Sequence, residues 1–144
     1  MGYQNLKKRI KKNEGFSFKP YRDQLGFLTI GYGHLILSSE KQLTKIKKTK
    51  TELEKMFIKD FKCAVSDFNK FLNHCSNNKR DKELLIEMVF QMGEVGVLKF
   101  KNLLGNMKRK NKHLVCFEMM NSLWYNQAPN RVKKLIKIYL KNER

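Results

Sequence analysis

Between Leu53 and Leu72 the apolar side chains return every three or four residues: Leu53, Met56, Phe57, Phe61, Ala64, Val65, Phe68 and Leu72. That period reads as one long amphipathic helix, about 40 Å if it runs on to Cys75. Thr49 and Glu52 stand at the spacing of a capping box and mark its start, and Asn77-Asn78-Lys79-Arg80 closes it. A helix of this length must bury its apolar stripe, and the C-terminal half of the chain offers the partners. Residues 83–92 are apolar nearly all round and read as a buried central helix, broken by Gly93 and Gly96. Residues 97–107 and 114–120 read as two further helices. Pro129 is placed at the first turn of a last helix ending near Leu140.

The N-terminal third has a different pattern. Residues 3–12 read as a short basic helix with Leu6 and Ile10 on one face, and Gly15 is placed to stop it. Glu14 is then left at the helix C-terminal end, where the negative pole of the dipole favours a protonated carboxyl. Phe16 to Tyr21 and Phe27 to Ile30 read as short strands, joined by a turn that holds Asp23 and Gly26. Gly31 and Gly33 flank Tyr32, but this Gly-Tyr-Gly lacks the length and the Lys-Ser/Thr of a phosphate loop. His34 follows in a setting that favours an ion-pairing or hydrogen-bonding role over that of a base. Residues 38–50 are polar and basic, a connector with one helical turn around Leu43 and Ile46. The fold class is therefore mainly α (α+β), in a single domain of 144 residues.

Lys plus Arg exceed Asp plus Glu by 31 to 13, a net charge of +18. A surface this basic is drawn to polyanions, in a salt-sensitive way. A non-enzymatic polyanion or membrane binder is accordingly the rival class, although the basic residues are spread along the chain and form no nucleic-acid module. No apolar run reaches the roughly 20 residues that cross a bilayer. The N-terminus carries charge where a secretory signal needs its apolar stretch. Cys63, Cys75 and Cys116 form no metal-binding spacing and read as free thiols of a reducing compartment, with Cys63 and Cys116 as small packing residues.

Glu14 and Asp23 are two carboxylates on different backbone elements held by a hairpin, an arrangement able to flank a glycosidic bond from opposite faces. Three blocks carry a family resemblance. The first is Glu14-Gly15, Tyr21-Arg22-Asp23, Gly26 and Thr29-Ile30-Gly31 with Gly33-His34-Leu35. The second runs from Met88 through Phe90, Gly93 and Glu94 to Val97, and the third from Trp124-Tyr125-Asn126-Gln127 to Pro129-Asn130-Arg131. In order and separation these resemble the T-even phage-type lysozymes, muramidases of glycoside hydrolase family 24.

The resemblance implies a small α+β lobe over about residues 14–50 and a helical lobe over about 61–144, with residues 1–13 packed on the latter. The long helix joins them and the site is the cleft between. It implies hydrolysis, with inversion, of the β-1,4 bond between N-acetylmuramic acid and N-acetylglucosamine in bacterial peptidoglycan. Glu14 is then the acid, Asp23 the second carboxylate and Thr29 its partner at the water. Leu35, Phe90, Gly31, His34 and Arg131 take substrate-side positions, with Arg131 expected to approach Glu14. No cofactor or metal is implied. The partners are peptidoglycan and an anionic envelope, with no specific nucleic acid, and the enzyme acts as a monomer. Synthesis in the host cytoplasm and action in the periplasm after membrane permeabilisation follow from the same resemblance. The chain departs from the family at Leu25, Leu103 and Glu118, where cleft positions are polar, and at Ala128, which replaces a Ser or Thr helix cap.

Overall fold

A computed structural model describes residues 3–23, 26–45 and 47–141, so Leu25 and Ile46 lie outside the described residues. The molecule is mostly helical with one small antiparallel sheet. It divides into two compact units, Met1–Cys63 and Ala64–Arg144.

The first unit opens with α1 (Gln4–Glu14), which buries Leu6 and Ile10. Gly15 ends it at φ +74°, its N–H donating to the Lys11 carbonyl at 3.0 Å. Three strands follow, β1 (Ser17–Arg22), β2 (Leu28–Gly31) and β3 (His34–Leu35), ordered β1-β2-β3 and antiparallel. β1 is irregular. Ser17 pairs with Gly31 and Tyr21 with Thr29, so four steps along β1 match two along β2. Pro20, with no N–H to give, lies inside this bulge. The Ser17 hydroxyl both accepts from the Lys19 N–H and donates to the Lys19 carbonyl, replacing ladder bonds there.

After a 3-10 segment (Ser38–Thr44), α2 (Lys50–Phe71) begins at the expected capping box. The Thr49 N–H donates to the Glu52 carboxylate at 3.0 Å, and the Glu52 N–H to the Thr49 hydroxyl at 3.1 Å. Contacting aromatic rings run from Phe18 through Phe16, Tyr32, Phe57 and Phe61 to Tyr3, with successive centroids 4.8 to 6.2 Å apart. Lys11 lies over Tyr32 and Phe57 and pairs with Glu54 at 2.6 Å.

The second unit is helical: the end of α2, then α3 (Lys79–Leu98), α4 (Lys101–Lys108), α5 (Lys112–Met120), α6 (Leu123–Gln127) and α7 (Pro129–Leu140). Every residue from Glu83 to Val89 is buried, as a central helix requires. α3 packs against α4 and α7, and α5 against α4, α6 and α7. Asp81 is the polar anchor of this unit. Its carboxylate accepts from the Tyr139 hydroxyl at 2.7 Å and the Asn77 N–H at 2.8 Å. Burial, reinforced by that carboxylate, pushes the Tyr139 phenol far above its ordinary range.

Several helix boundaries differ from the sequence expectation. α2 stops at Phe71 and a 3-10 turn (Asn73–Cys75) follows, while Asn78 caps α3 by accepting from the Asp81 N–H at 2.9 Å. Lys79 and Arg80 therefore start a helix and do not end one. Gly93 breaks α3 at φ +80°, but Gly96 stays helical. The expected helix over 97–107 is interrupted at Phe100 (φ −80°, ψ 60°), whose ring packs edge-on against Trp124. Cys63 is exposed, because it falls out of phase with the buried Phe57, Phe61, Ala64 and Phe68; Cys75 and Cys116 are buried, and all three are free thiols. Ala128 makes no side-chain cap bond to α7.

Candidate active site

Glu14 is the last residue of α1 and is half-buried. What it faces is a backbone. A Cβ added to Gly33 would lie 2.6 Å from Glu14 Oε1, so the carboxyl sits directly against this glycine, itself at φ +78°. Tyr32 anchors the turn that presents Gly33, its hydroxyl donating to Glu54 at 2.8 Å. The same Glu54 holds Lys11, whose carbonyl receives the helix-ending N–H of Gly15. One carboxylate thus ties the end of the Glu14 helix to the turn that packs on Glu14.

Asp23 lies just past β1 and is fixed by its own turn. Its Oδ1 accepts from the Phe27 N–H at 2.8 Å, and its N–H donates to the Phe27 carbonyl at 2.9 Å. Arg22 closes the turn by donating to the Gly26 carbonyl at 2.9 Å. Thr29, buried in β2, donates its hydroxyl to that same Phe27 carbonyl at 2.9 Å. Phe27 is therefore the shared hub of Asp23 and Thr29.

Register brings these groups to one face. Tyr21, Thr29 and Leu35 are direct partners across the three strands, so their side chains form one row. Asp23 stands two residues beyond Tyr21, where the alternation of a strand returns to the same side. The Tyr21 phenol is pushed above its ordinary value by burial first, then by the negative charges of Glu14 and of Asp23. One phenol thus feels both carboxylates, although they come from a helix end and a turn.

His34 does not join that row. It pairs with Ile30, on the opposite face from Thr29. Its Nδ1 lies 2.7 Å from Asp60 and its Nε2 3.1 Å from Glu40, so both ring nitrogens are engaged. The Asp60 hydrogen bond raises the imidazole pKa against the opposing effect of burial, and Glu40 adds to the rise. For Glu40, burial works upward, but the Leu37 amide and the His34 ring outweigh it and hold the carboxyl below its usual value. Gly31 is buried at φ +66° against Leu53, whereas Leu35 is exposed at the end of the row.

In the second unit Arg131 pairs with the buried Glu87 at 3.3 Å, and Trp124 donates to Gln91 at 2.9 Å. Phe90 is half-buried on α3. Leu103 is buried in α4 and Glu118 half-buried in α5.

The sequence motif singles out Glu14, Asp23 and Thr29 as candidates, and gives Tyr21 no role beyond its strand and Gly33 none beyond its turn. Both lay in the motif; Tyr21 stands two residues before Asp23, the spacing that shares a strand face. Glu54 and Asp60 carry no local signal, since their partners stand 22 to 43 residues away, whereas Glu40 takes the Leu37 N–H and the His34 ring three and six residues back.

Comparison with known proteins adds a second line of observation. The profile of the phage lysozyme family matches residues 11–138. Two proteins of Dictyostelium discoideum described as probable T4-type lysozymes, 1 and 2, are similar over nearly the full length. The first is 34% identical over 93% of this chain and 92% of its own, the second 30% identical over 94% and 93%. The peptidoglycan hydrolase gp36 of Pseudomonas phage phiKMV is 28% identical over 92% of this chain and 15% of its own length.

Proposed function

The chain belongs to the phage lysozyme family and is a peptidoglycan-degrading hydrolase, and we propose that it cuts the β-1,4 bond between N-acetylmuramic acid and N-acetylglucosamine with inversion. Glu14 donates its proton to the leaving oxygen. Asp23 and Thr29 hold the attacking water on the opposite side of the sugar ring, with Asp23 as the base. The observation that carries this reading is the Tyr21 phenol. It stands across the ladder from Thr29 and feels Glu14 and Asp23 together. An inverting pair needs room for a water, roughly 6.5–9.5 Å between carboxyl groups. Two acids rooted in a helix end and a separate turn suit such a gap. Leu35, exposed beside Thr29, offers apolar contact to a sugar face.

The enzyme in this reading is a monomer, since two copies at +18 repel. It is made in the host cytoplasm and reaches the wall once the membrane is permeabilised, where the basic surface keeps it on the anionic envelope. Among the described residues, no helix is long and apolar enough to cross a membrane.

The test is hydrolysis of purified peptidoglycan by wild type and Glu14→Gln, with the product anomer followed by proton NMR. The variant is expected to lose on the order of 10³ in rate, in the range of a missing general acid. First-formed product of inverted configuration supports the assignment. A retained anomer overturns inversion, and an active Glu14→Gln overturns the role of Glu14.

A further inference from the structure

The second unit carries an apolar surface that its own core does not use. α5 buries Val115, Cys116 and Met119 on one side. On the other, Leu114, Phe117 and Met120 are 44%, 55% and 51% exposed, and Leu123 at the start of α6 is 70% exposed. Residues three apart are neighbours on a helix surface, so the first three form one stripe, and Leu123 opens α6 beyond the break at Asn121 and Ser122. Single exposed apolar side chains need no explanation, whereas a run of four large ones marks a surface that something covers.

The surrounding charge indicates what covers it. Between Lys99 and Lys141 the chain has eleven Lys and Arg against one acid, Glu118. Exposed cations stand on the two helices that flank α5: Lys108 and Arg109 at the end of α4, and Lys133, Lys134 and Lys137 on α7. A second copy would set these charges against their own kind. An apolar stripe on a helix packed against two lysine-bearing helices matches instead a layer of anionic headgroups over hydrocarbon.

We propose that the α5–α6 face docks on an anionic phospholipid bilayer, with Leu114, Phe117, Met120 and Leu123 entering the headgroup boundary and the flanking lysines holding the phosphates. The surface uses none of the residues assigned to glycoside hydrolysis, so each reading can fail without the other. Its consequence is specific. Binding to membrane has an apolar component that persists at salt concentrations where simple charge attraction fades.

The test is co-sedimentation at moderate salt with vesicles of phosphatidylethanolamine and phosphatidylglycerol, compared with phosphatidylcholine alone. Wild type is expected on the anionic vesicles only. The Phe117→Ser, Leu123→Ser double variant is expected to bind them on the order of tenfold more weakly or worse, the effect of removing two apolar side chains from the contact. Its hydrolysis of purified peptidoglycan and its melting temperature should match wild type. A second protein, Phe117→Trp, reports insertion directly through a blue shift of its fluorescence with anionic vesicles. Equal binding by wild type and double variant overturns the proposal, as does equal binding to phosphatidylcholine, an absent blue shift, or a concentration-dependent dimer.

Discussion

Asp23 in the first unit and Asp81 in the second are built from similar parts. Asp23 stands in the turn after β1 and Asp81 in the first turn of α3, and each takes a backbone N–H four residues away, from Phe27 in one case and Asn77 in the other. Their surroundings differ. Asp81 is 2% exposed, and its second oxygen takes the hydroxyl of Tyr139 from a helix far along the chain. Asp23 is half-buried beside a strand row that also holds Tyr21 and Thr29. The glutamates divide the same way. Glu87 is wholly buried against Arg131, whereas Glu14 is half-buried at a helix end. Asp81 is enclosed by a donor from a distant helix, and Asp23 takes the amide of its own turn on a more accessible face.

The strongest way to break this contrast is to exchange each aspartate for asparagine. Asp23→Asn should lower peptidoglycan hydrolysis on the order of 10³-fold with the melting temperature almost unchanged. Asp81→Asn should do the reverse. Its one oxygen can still accept the Asn77 N–H, but its nitrogen cannot accept the Tyr139 hydroxyl proton, so about 1–3 kcal/mol of stability goes, with rate per folded molecule kept. Matching losses of rate in the two variants, measured beside their urea midpoints, would erase the distinction.

A sharper probe is Gly33→Ala. Its Cβ would arrive 2.6 Å from Glu14 Oε1 at a φ of +78°. The far end of Glu14 can swing away, so the damage should fall on the position of the acid. A rate loss on the order of 10²-fold is expected, with a left-handed backbone cost of about 1–2 kcal/mol in the melt. A variant as active as wild type would show that the contact positions nothing.

The smallest effect concerns His34 and depends on pH. Its imidazole binds a proton more tightly in the fold than in the unfolded chain, through Asp60 and then Glu40. That contribution is complete below the unfolded value of about 6.5 and is lost as pH rises through the raised folded value. Glu40 is shifted down, so its share is present above the ordinary value of 4.5 and fades in acid below that. His34→Asn should therefore cost most near pH 5 to 6, about 2 kcal/mol, and progressively less in alkaline buffer. Thermal melts across pH check the slope; a cost independent of pH would remove the ion pairs from the account.

Local chemistry was legible in the sequence where partners are close along the chain. The Thr49–Glu52 capping box, the Gly15 stop and Pro129 at the start of α7 all stand where the spacing puts them. Gly93 and Gly96 look alike in a sequence, yet one turns to φ +80° and the other stays helical. Phe100 stands at the break before α4, and its ring meets Trp124, a contact 24 residues away that no local pattern announces. The same holds for the site. Glu14, Asp23 and Thr29 were visible as a motif, whereas the hold of Glu54 on both Lys11 and Tyr32 links segments 43 and 22 residues apart.

The bulge in β1 has a bearing beyond the face that carries Tyr21 and Thr29. A three-stranded sheet ordered β1-β2-β3 leaves β1 at an edge, where unpaired backbone groups can recruit the strand of another molecule. Here the Ser17 hydroxyl occupies the Lys19 amide and carbonyl, Pro20 has no hydrogen to lend, and Lys19 is exposed with its charge. The irregularity that brings Tyr21 opposite Thr29 thus also denies a second chain a straight template. Regularising this strand, for instance by replacing Pro20, would open a straighter edge to self-association.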